Sequence, residues 1–455
     1  MTRTQPLNAS RGWRPANPNP ALASQSRARA RLSDFDLTQS RGYTYYFCLF
    51  TLLVNLLLPK GGYYQDTLPI TWGYLLLAVA FLFTGSELLL ELVCSGHRLF
   101  QICVCLLLAF ASYVCIEYVF RSANTENLHT QLYIIVAVLG VPLAAISTTR
   151  YVLVRGGSDD LRKIMAWSLL GIFVVGVITF ISSNWLGEFV GIPYVTFTGD
   201  DVSLLALKHV DRGDIFKMGA TYNNGNILGI NLLIWAPLVT DYLKGKWKAL
   251  SLGLWIILFC TLSRTVWVGW IAVEVLTRLQ SGRGTLRKLL IIPIVGIIAA
   301  VIVWEAGFFF NGRGASNFLM DSDLGGRRDQ LDVVLSFFGT TWDGLGSEIV
   351  YMWMLGCYGM VGTCLFLAAW TFPVFSPPAA PGAVARAAKI GLIAYLIMMA
   401  SDGAFMLGPT QMTVWLVACF IFFGGQKGPV PDAGDDETSH RFQTPRSQSA
   451  LAPGG

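Results

Sequence analysis

Residues 311–348 read NGRGASNFLMDSDLGGRRDQLDVVLSFFGTTWDGLGSE, a polar stretch between two long apolar runs. The preceding run ends in Phe308, Phe309 and Phe310, and the following run begins at Ile349. Connections between helices of a compact domain usually hold about 2–8 residues. A charged segment this long between two bilayer-length apolar runs is more than a connector, and we predict that it carries chemistry at a membrane surface.

The composition is typical of a polytopic helical membrane protein. Of the 455 residues, 54% are hydrophobic and 13% are charged, whereas soluble domains carry about 25% charged residues. The balance of 33 Lys and Arg against 28 Asp and Glu is only mildly basic, so we expect no nucleic-acid partner. The nine Cys lie in or beside apolar runs without zinc-site spacing, so we expect no disulfide framework and no zinc site. We assign no cofactor.

Apolar runs of membrane-spanning character repeat along the chain between two polar tails. Spans need about 20 residues each, which predicts an all-α membrane protein with about twelve transmembrane helices. We assign residues 1–40 and 426–455 as disordered cytoplasmic tails and residues 41–425 as the transmembrane domain. The runs are 43–58, 69–93, 99–120, 131–149, 164–183, 226–243, 249–262, 265–279, 289–310, 349–372, 389–407 and 410–425.

One pair of runs, 249–262 and 265–279, could form a single long helix. We divide it at Arg264, because an arginine in hydrocarbon costs at least about 2.5–3.5 kcal/mol and a turn at the interface removes most of that cost. With this division both termini are cytoplasmic and the short inside loops are basic, which is the positive-inside pattern. Two long external loops then remain, at residues 184–225 and 311–348.

The polar groups of the external side concentrate in three segments, 211–226, 262–270 and 325–348. Arginines among aromatic residues at membrane depth suit an anionic lipid head, above all a phosphate or diphosphate, because guanidinium binds phosphate oxygens bidentately and stays charged. Arg264 interrupts an apolar stretch, which favours a functional role. The candidate substrate-binding and catalytic residues are Arg212, Lys217, Tyr222, Asn224, Asn226, Arg264, Arg327, Arg328, Glu348 and Asp402.

Each candidate also has a plainer interpretation. Arg212 and Lys217 are compatible with solvated loop charges, and the Asn223–Asn226 cluster with a turn and helix cap. Glu348 is compatible with an acid favoured by a helix N-terminus. Asp402 falls deep in the run 389–407, where a carboxylate is expected to bind an acceptor or pair with an arginine.

The order of these motifs resembles the O-antigen polymerase/ligase family of bacterial membrane glycosyltransferases. The resemblance covers residues 200–370: an Asn/Gly-rich turn entering a helix, Ser263-Arg264 at a helix junction, a long external loop with Arg327-Arg328, then Gly344-Leu345-Gly346 and the segment 357–362 (CYGMVG). It implies a multi-span fold in the bacterial inner membrane, an undecaprenyl-diphosphate-linked glycan donor and no metal. It also implies that Arg264 and either Arg327 or Arg328 contact the diphosphate.

Ligases of that family commonly carry a histidine after the Gly-x-Gly element, where this chain has Glu348. This departure favours a polymerase of surface-polysaccharide repeat units, with Glu348 as the general base and a chain-length regulator as a partner. An O-antigen ligase and a polysaccharide transporter or flippase are the alternatives. A transporter is disfavoured because no internal repeat is evident and the polar residues concentrate in two external loops.

Overall fold

A computed structural model describes ten stretches of the chain. They are residues 41–65, 68–94, 97–122, 128–199, 211–212, 215–240, 242–243, 247–281, 335–340 and 349–425. Both predicted tails, the run 289–310 and most of the loop 311–348 lie outside the described residues, so those assignments and the count of twelve spans stay predictions.

Helices dominate the described residues. They are α1 (Tyr43–Leu57), α2 (Trp72–Cys94), α3 (Arg98–Ser122), α4 (Leu128–Ile135), α5 (Val141–Gly156), α6 (Ser158–Leu186), α7 (Gly225–Thr240), α8 (Lys248–Cys260), α9 (Arg264–Ser281), α10 (Val350–Phe375), α11 (Ala383–Met398) and α12 (Gly408–Phe423). A π-helical turn, Val136–Gly140, joins α4 to α5. Two short antiparallel hairpins, β1 (Gly62–Gln65) with β2 (Leu68–Thr71) and β3 (Asp211–Arg212) with β4 (Ile215–Phe216), depart from the purely helical prediction.

Five of the described helical stretches are long and apolar enough to cross a membrane. They cover residues 72–94, 98–118, 132–156, 158–186 and 350–375, and shorter apolar helices occupy 43–57, 225–240, 248–260 and 408–423. The structure therefore agrees with the predicted class, a helical membrane protein.

The centre of the bundle is formed by helices that are apolar on every face. Every residue of α12 is buried, and so are 14 residues of α7. A helix that is hydrophobic all round belongs in a protein interior. The backbones of α7 and α11 approach so closely that a Cβ added at Gly391 would overlap the carbonyl oxygen of Ile234. Small residues at such crossings are typical of helix packing in membranes.

One end of the bundle, here called the strand end, carries β1, β2 and the connection that follows α6. The indole N–H of Trp72 donates to the carbonyl of Tyr194 at 2.8 Å. The hydroxyl of Thr198 donates to the carbonyl of Lys60, also at 2.8 Å. The connection between α1 and α2 and the connection after α6 therefore lie at the same end. Counting the predicted spans from a cytoplasmic N-terminus puts both connections on the same side of the membrane.

The opposite end, here called the ion-pair end, is held by charges between α2 and α5. Arg150 pairs with Glu91 at 2.6 Å, and Arg155 pairs with Glu87 at 2.7 Å. The sequence did not predict either pair. At the same end, the N–H of Ala379 donates to the carbonyl of Ile421 at 3.1 Å, which joins the α10–α11 connection to α12.

The predicted division between α8 and α9 is confirmed. Leu262 adopts a left-handed backbone, φ 48°, between the two helices. The rings of Trp255 and Trp270 lie 4.2 Å apart, although fifteen helical residues would separate them by about 22 Å in a continuous helix. The two helices therefore fold back on each other, and Arg264 begins the second of them.

The helix α10 is interrupted at Gly359, which has φ 64° and ψ −167°. The segment 335–340 fills the gap: Thr340 N–H donates to Gly356 O at 2.9 Å and Met360 N–H donates to Ser336 O at 2.9 Å. These bonds satisfy backbone groups that the interruption leaves without helical partners. Gly359 is nine residues into α10, or about 14 Å along its axis, so this part of the predicted external loop reaches that depth along α10, with Leu335, Phe337 and Phe338 on the exposed face of the bundle.

Candidate functional site

Three connections at the strand end meet and hold each other in place. They are the turn 217–224 before α7, the turn 261–263 before α9 and the turn 399–407 between α11 and α12. The N–H of Met218 donates to the carbonyl of Cys260 at 2.9 Å. Asn226 Nδ2 donates to Asp402 Oδ2 at 2.6 Å. These contacts link the first turn to the second and to the third.

A third contact completes the set. The hydroxyl oxygens of Thr265 and Ser401 lie 2.9 Å apart, which links the start of α9 to the third turn. We call Lys217, Asn226, Arg264, Thr265, Ser401 and Asp402 the three-turn site. It brings four residues predicted from the sequence to one place, although up to 185 positions of the chain separate them.

Side-chain caps explain why α7 and α9 begin where they do. Asn224 Oδ1 accepts the N–H of Asn226 at 2.8 Å, and Ser263 Oγ accepts the N–H of Val266 at 3.4 Å. Asn and Ser are preferred caps because their oxygens satisfy N–H groups that lack a helical partner. The capping interpretation of Asn224 is therefore confirmed, and both helix N-termini lie beside the site.

The electrostatics of the site favour an anion. Lys217 is only 6% exposed and Asp402 only 8%, while Arg264 is half-buried. In the three turns and the first turns of α7 and α9, the described charges are these two cations and one anion. The positive ends of two helix dipoles add to the excess of positive charge. This balance of charge is of the kind that suits an anion.

Each of the three turns contains at least one residue other than glycine in the left-handed region. They are Ala220 (φ 46°) and Asn223 (φ 59°) in the first turn, Leu262 (φ 48°) in the second and Ala404 (φ 46°) in the third. Such conformations cost about 1–3 kcal/mol each and cluster at functional sites. The Asn223–Asn226 cluster was compatible with a turn, and Asn tolerates this conformation. Nothing in the sequence predicted it for Ala220, Leu262 or Ala404, because the usual signal for a left-handed position is glycine.

Several buried polar atoms near these turns have no hydrogen-bond partner among the described residues. They include Oδ1 of Asn223, Oδ1 of Asn226 and the hydroxyl of Tyr395. Buried polar groups are nearly always satisfied in folded proteins. Unsatisfied oxygens gathered in this way suit a place that receives a polar ligand.

The position predicted for Asp402 is wrong. α11 ends at Met398, so Asp402 lies in the turn that follows and not deep in a span. The run 389–407 is continuously apolar around it, but Gly403 and the left-handed Ala404 end the helical geometry. The carboxylate therefore stands at the same level as the N-termini of α7 and α9, which explains its hydrogen bond to Asn226.

Tyr222 stabilises the fold and is not part of the three-turn site. It is fully buried, and its hydroxyl donates to the carbonyl of Leu56 at the end of α1, at 2.9 Å. Burial raises the pKa of this hydroxyl, which keeps it neutral. The contact ties the turn before α7 to α1, so we do not include Tyr222 among the proposed substrate contacts.

The remaining predicted residues are placed only in part. Arg212 lies in β3, next to the turn before α7, and its side chain is outside the described residues. Arg327, Arg328 and Glu348 are outside them altogether, and their roles stay predictions. The residue after Glu348, Ile349, is buried, and the N–H of Val350 donates to the carbonyl of Met399 at 3.1 Å, at the start of the third turn.

Sequence reasoning missed Thr265 and Ser401, whose hydroxyls join two of the turns. Both are adjacent in sequence to predicted residues, but short hydroxyl side chains beside a charged residue carry no distinctive pattern. Within the described part of the chain, no three His, Cys, Asp or Glu side chains are close enough together to hold a metal ion.

No protein-family model, no curated protein and no solved structure matches this chain. The family resemblance of residues 200–370 therefore stays an expectation that rests on its short motifs.

Proposed function

We propose that this chain is a membrane glycosyltransferase that polymerises undecaprenyl-diphosphate-linked oligosaccharide repeat units into a surface polysaccharide. The reaction takes place at the external face of the bacterial inner membrane, in a fold of about twelve spans with both termini cytoplasmic. The donor and the acceptor are both lipid-linked oligosaccharides, and a chain-length regulator is the expected partner.

The observation that carries this proposal is the convergence of Lys217 and Arg264 with Asn226 and Asp402. Hydrogen bonds between the three turns fix that convergence, and two helix N-termini lie next to it. Two cations suit a diphosphate, and amide and carboxylate groups suit sugar hydroxyls. The site therefore offers partners for both halves of a lipid-diphosphate sugar.

The distribution of charge supports an external location for the strand end. Arg150, Arg155 and Arg162 belong to the ion-pair end, where all three make polar contacts to neighbouring helices. Basic residues concentrate on the cytoplasmic side of membrane proteins. The ion-pair end is then cytoplasmic, and the three-turn site faces the compartment in which flipped lipid-linked sugars are polymerised.

The chemistry is a substitution at the anomeric carbon. The acceptor hydroxyl oxygen forms a bond to that carbon, the bond from the carbon to the phosphate oxygen breaks, and its electron pair leaves with the lipid diphosphate. Arg264 and Lys217, with Arg327 or Arg328, stabilise the negative charge that grows on the leaving group. A carboxylate accepts the proton of the hydroxyl, and the candidate for this role is Glu348, which stands where ligases of the resembled family commonly carry a histidine.

The test is the replacement of Arg264 by Ala and by Lys. Removing a donor to a developing negative charge lowers kcat by about 10²–10³, so Arg264→Ala shortens the polysaccharide made in cells and Arg264→Lys recovers part of its length. Arg278→Ala is the matched control, because Arg278 lies at the other end of the same helix and pairs with Glu274 at 3.0 Å. Long chains from a stably inserted Arg264→Ala protein would contradict the proposal.

A carrier of lipid-linked sugars is the second candidate, because discontinuous helices such as α10, broken at Gly359, line substrate sites in transporters. Proteoliposomes with a lipid-linked repeat unit separate the candidates. A polymerase forms longer glycans on one leaflet, whereas a flippase moves the unchanged lipid between leaflets. An O-antigen ligase instead transfers the glycan to a different acceptor and does not lengthen it.

A further inference from the structure

We propose that residues 185–195, here called the interfacial ridge, insert into the lipid headgroup region of the membrane leaflet at the strand end. The ridge comprises the end of α6 and most of the connection that follows it. The inference goes beyond the proposed transfer reaction, because it assigns a contact surface whose partner is the phospholipid bilayer itself.

α6 shows where the bilayer lies. Its exposed apolar residues recur at helical spacing along one face, which is the pattern of a stripe that contacts lipid. Eighteen positions separate the first and last of them, Trp167 and Trp185, or about 27 Å along the helix axis. The hydrocarbon core is about 30 Å thick and tryptophan is enriched at both of its boundaries, so these two residues mark the boundaries. The stripe is Trp167, Val174, Ile178, Ile181 and Trp185.

α2 gives the same thickness independently. Trp72 begins this helix at the strand end, and Glu91 pairs with Arg150 at the ion-pair end. Nineteen positions separate Trp72 from Glu91, or about 28 Å along the axis. The indole N–H of Trp72 donates to the carbonyl of Tyr194 at 2.8 Å. The ridge therefore lies at the level of Trp72 and Trp185, where the hydrocarbon ends.

The surface of the ridge is apolar. Between residues 185 and 195 the sequence has one charged residue, Glu188. The lipid-facing stripe of α6 continues into this surface through Trp185 and Leu186. Exposed apolar patches mark contacts with a membrane or with another protein, and continuity with the stripe identifies the bilayer as the partner. The exposed large apolar side chains after Trp185 are Leu186 (60%), Ile192 (53%), Tyr194 (43%) and Val195 (38%).

Hydrogen bonds hold the ridge in a defined conformation. The N–H of Val190 donates to Ser183 Oγ at 2.8 Å, and the N–H of Thr196 donates to the carbonyl of Ile192 at 2.8 Å. Tyr194 has φ 60°, which is costly for a bulky residue. A tyrosine at this strained and exposed position agrees with a membrane contact, because tyrosine rings favour the headgroup region.

The ridge is joined to the three-turn site. The side-chain amide of Asn184 accepts the N–H of Phe216 at 2.9 Å and donates to the carbonyl of Phe216 at 3.3 Å. Asn184 directly precedes Trp185, and Phe216 directly precedes Lys217. Insertion of the ridge then fixes the first turn of the three-turn site near headgroup depth, where the diphosphate of a lipid-linked sugar lies. This consequence rests on the proposed function, whereas the ridge itself does not.

Spin labels in proteoliposomes of phosphatidylethanolamine and phosphatidylglycerol test the proposal. A nitroxide is attached to Ile192→Cys in the full-length protein. Oxygen concentrates in the bilayer and a neutral nickel chelate concentrates in water, so the ratio of their effects on the nitroxide reports its depth. We expect this ratio at Ile192→Cys to be several-fold higher than at Asp159→Cys, where the side chain is 84% exposed at the ion-pair end. Val174→Cys gives the ratio of a lipid-facing position. The exposed native cysteines replaced by Ser beforehand are Cys94, Cys105 and Cys364.

Cross-linking in native membranes provides a second measurement. The photoreactive residue p-benzoylphenylalanine in place of Ile192 should form phospholipid adducts, which mass spectrometry identifies. The same residue in place of Asp159 is the control and should form few of them. Val195→Cys carries the spin label on the same surface if Ile192→Cys does not insert.

The proposal is overturned if the ratio at the ridge equals that at Asp159→Cys, since the ridge would then lie in water. A cross-link from position 192 to another protein in place of lipid also overturns it. Neither measurement depends on sugar transfer. A wild-type protein that does not lengthen the glycan would therefore contradict the proposed function and leave the ridge unaffected.

Discussion

Replacing Glu91 by Gln should destabilise the protein strongly, because it leaves a buried arginine without its closest carboxylate. Arg150 Nη2 lies 2.6 Å from Glu91, and the two side chains are only 10% and 14% exposed. The next carboxylate, Glu87, is 3.9 Å from Arg150 and also pairs with Arg155. Glu87 cannot therefore fully replace the missing charge.

The size of the effect follows from the geometry. Two unit charges 2.6 Å apart attract by about 6 kcal/mol at an effective dielectric constant near 20. Most of that attraction offsets the desolvation of the two groups, but removing one of them leaves the other's desolvation uncompensated and costs about 3–5 kcal/mol. An unfolding entropy of about 2.1 cal/mol/K per residue gives roughly 1 kcal/mol per degree for 455 residues. The melting temperature should fall by about 3–5 °C.

Thermal unfolding in detergent, followed by the loss of the monodisperse peak in gel filtration, measures this shift. Glu274→Gln is the control, because Glu274 pairs with Arg278 at 3.0 Å but both side chains are about one-quarter exposed. Such a pair contributes about 0.3–0.5 kcal/mol, so this control should melt within about 1 °C of the wild type. If Glu91→Gln and Glu274→Gln melt together, the burial argument for the ion-pair end is wrong.

Three further changes test other parts of the fold. Gly359→Ala should lower the melting temperature by about 1–3 °C, because φ 64° with ψ −167° is open essentially to glycine and an added Cβ would overlap the carbonyl of Phe337; an unchanged melting temperature would mean that α10 is continuous. Ala404→Gly should keep or raise the melting temperature, because glycine adopts φ 46° without strain, and should lower the transfer rate, because the third turn becomes more flexible. A lower melting temperature would show that Ala404 is not strained. Burial lowers the pKa of Lys60 to about 8, so its acylation by an amine-reactive reagent should rise through pH 8. Lys60→Gln should stabilise the protein most below pH 8, where the folded state bears the cost of the buried charge. Labelling that rises only near pH 10 would refute the lowered pKa.

The apolar runs predicted the helices well because bilayer length is a strong constraint. The division at Arg264 was predictable for a physical reason, since the cost of a guanidinium in hydrocarbon outweighs the loss of one helical turn. The interruption at Gly359 was not predictable. Its residues read as one apolar run, and the bonds that replace the helical ones come from 335–340, a segment that polarity assigned to the outside.

Four of the six residues of the three-turn site were predictable, but the contacts between them were not. Lys217, Asn226 and Arg264 could be assigned to one side of the membrane by counting spans, and the strand end does bring them together. The hydrogen bond from Asn226 to Asp402 joins positions 176 residues apart, and no local pattern records a pairing of that kind. The glutamate–arginine pairs of the ion-pair end were missed for the same reason.

One end of the bundle carries stabilising ion pairs, and the other carries strained backbone. The ion-pair end holds two ion pairs at 2.6 and 2.7 Å, whereas the three turns of the strand end each hold at least one left-handed residue that is not glycine. At about 1–3 kcal/mol for each such residue, the strain amounts to a large part of an ordinary folding free energy of about 5–15 kcal/mol. Glycine at Ala220, Leu262 and Ala404 would relieve this strain. The hydrogen bonds among the turns keep the strained geometry in place, so each turn depends on the other two. Changes at the ion-pair end should therefore lower the melting temperature without altering the donor KM, and changes in the turns should alter the rate first.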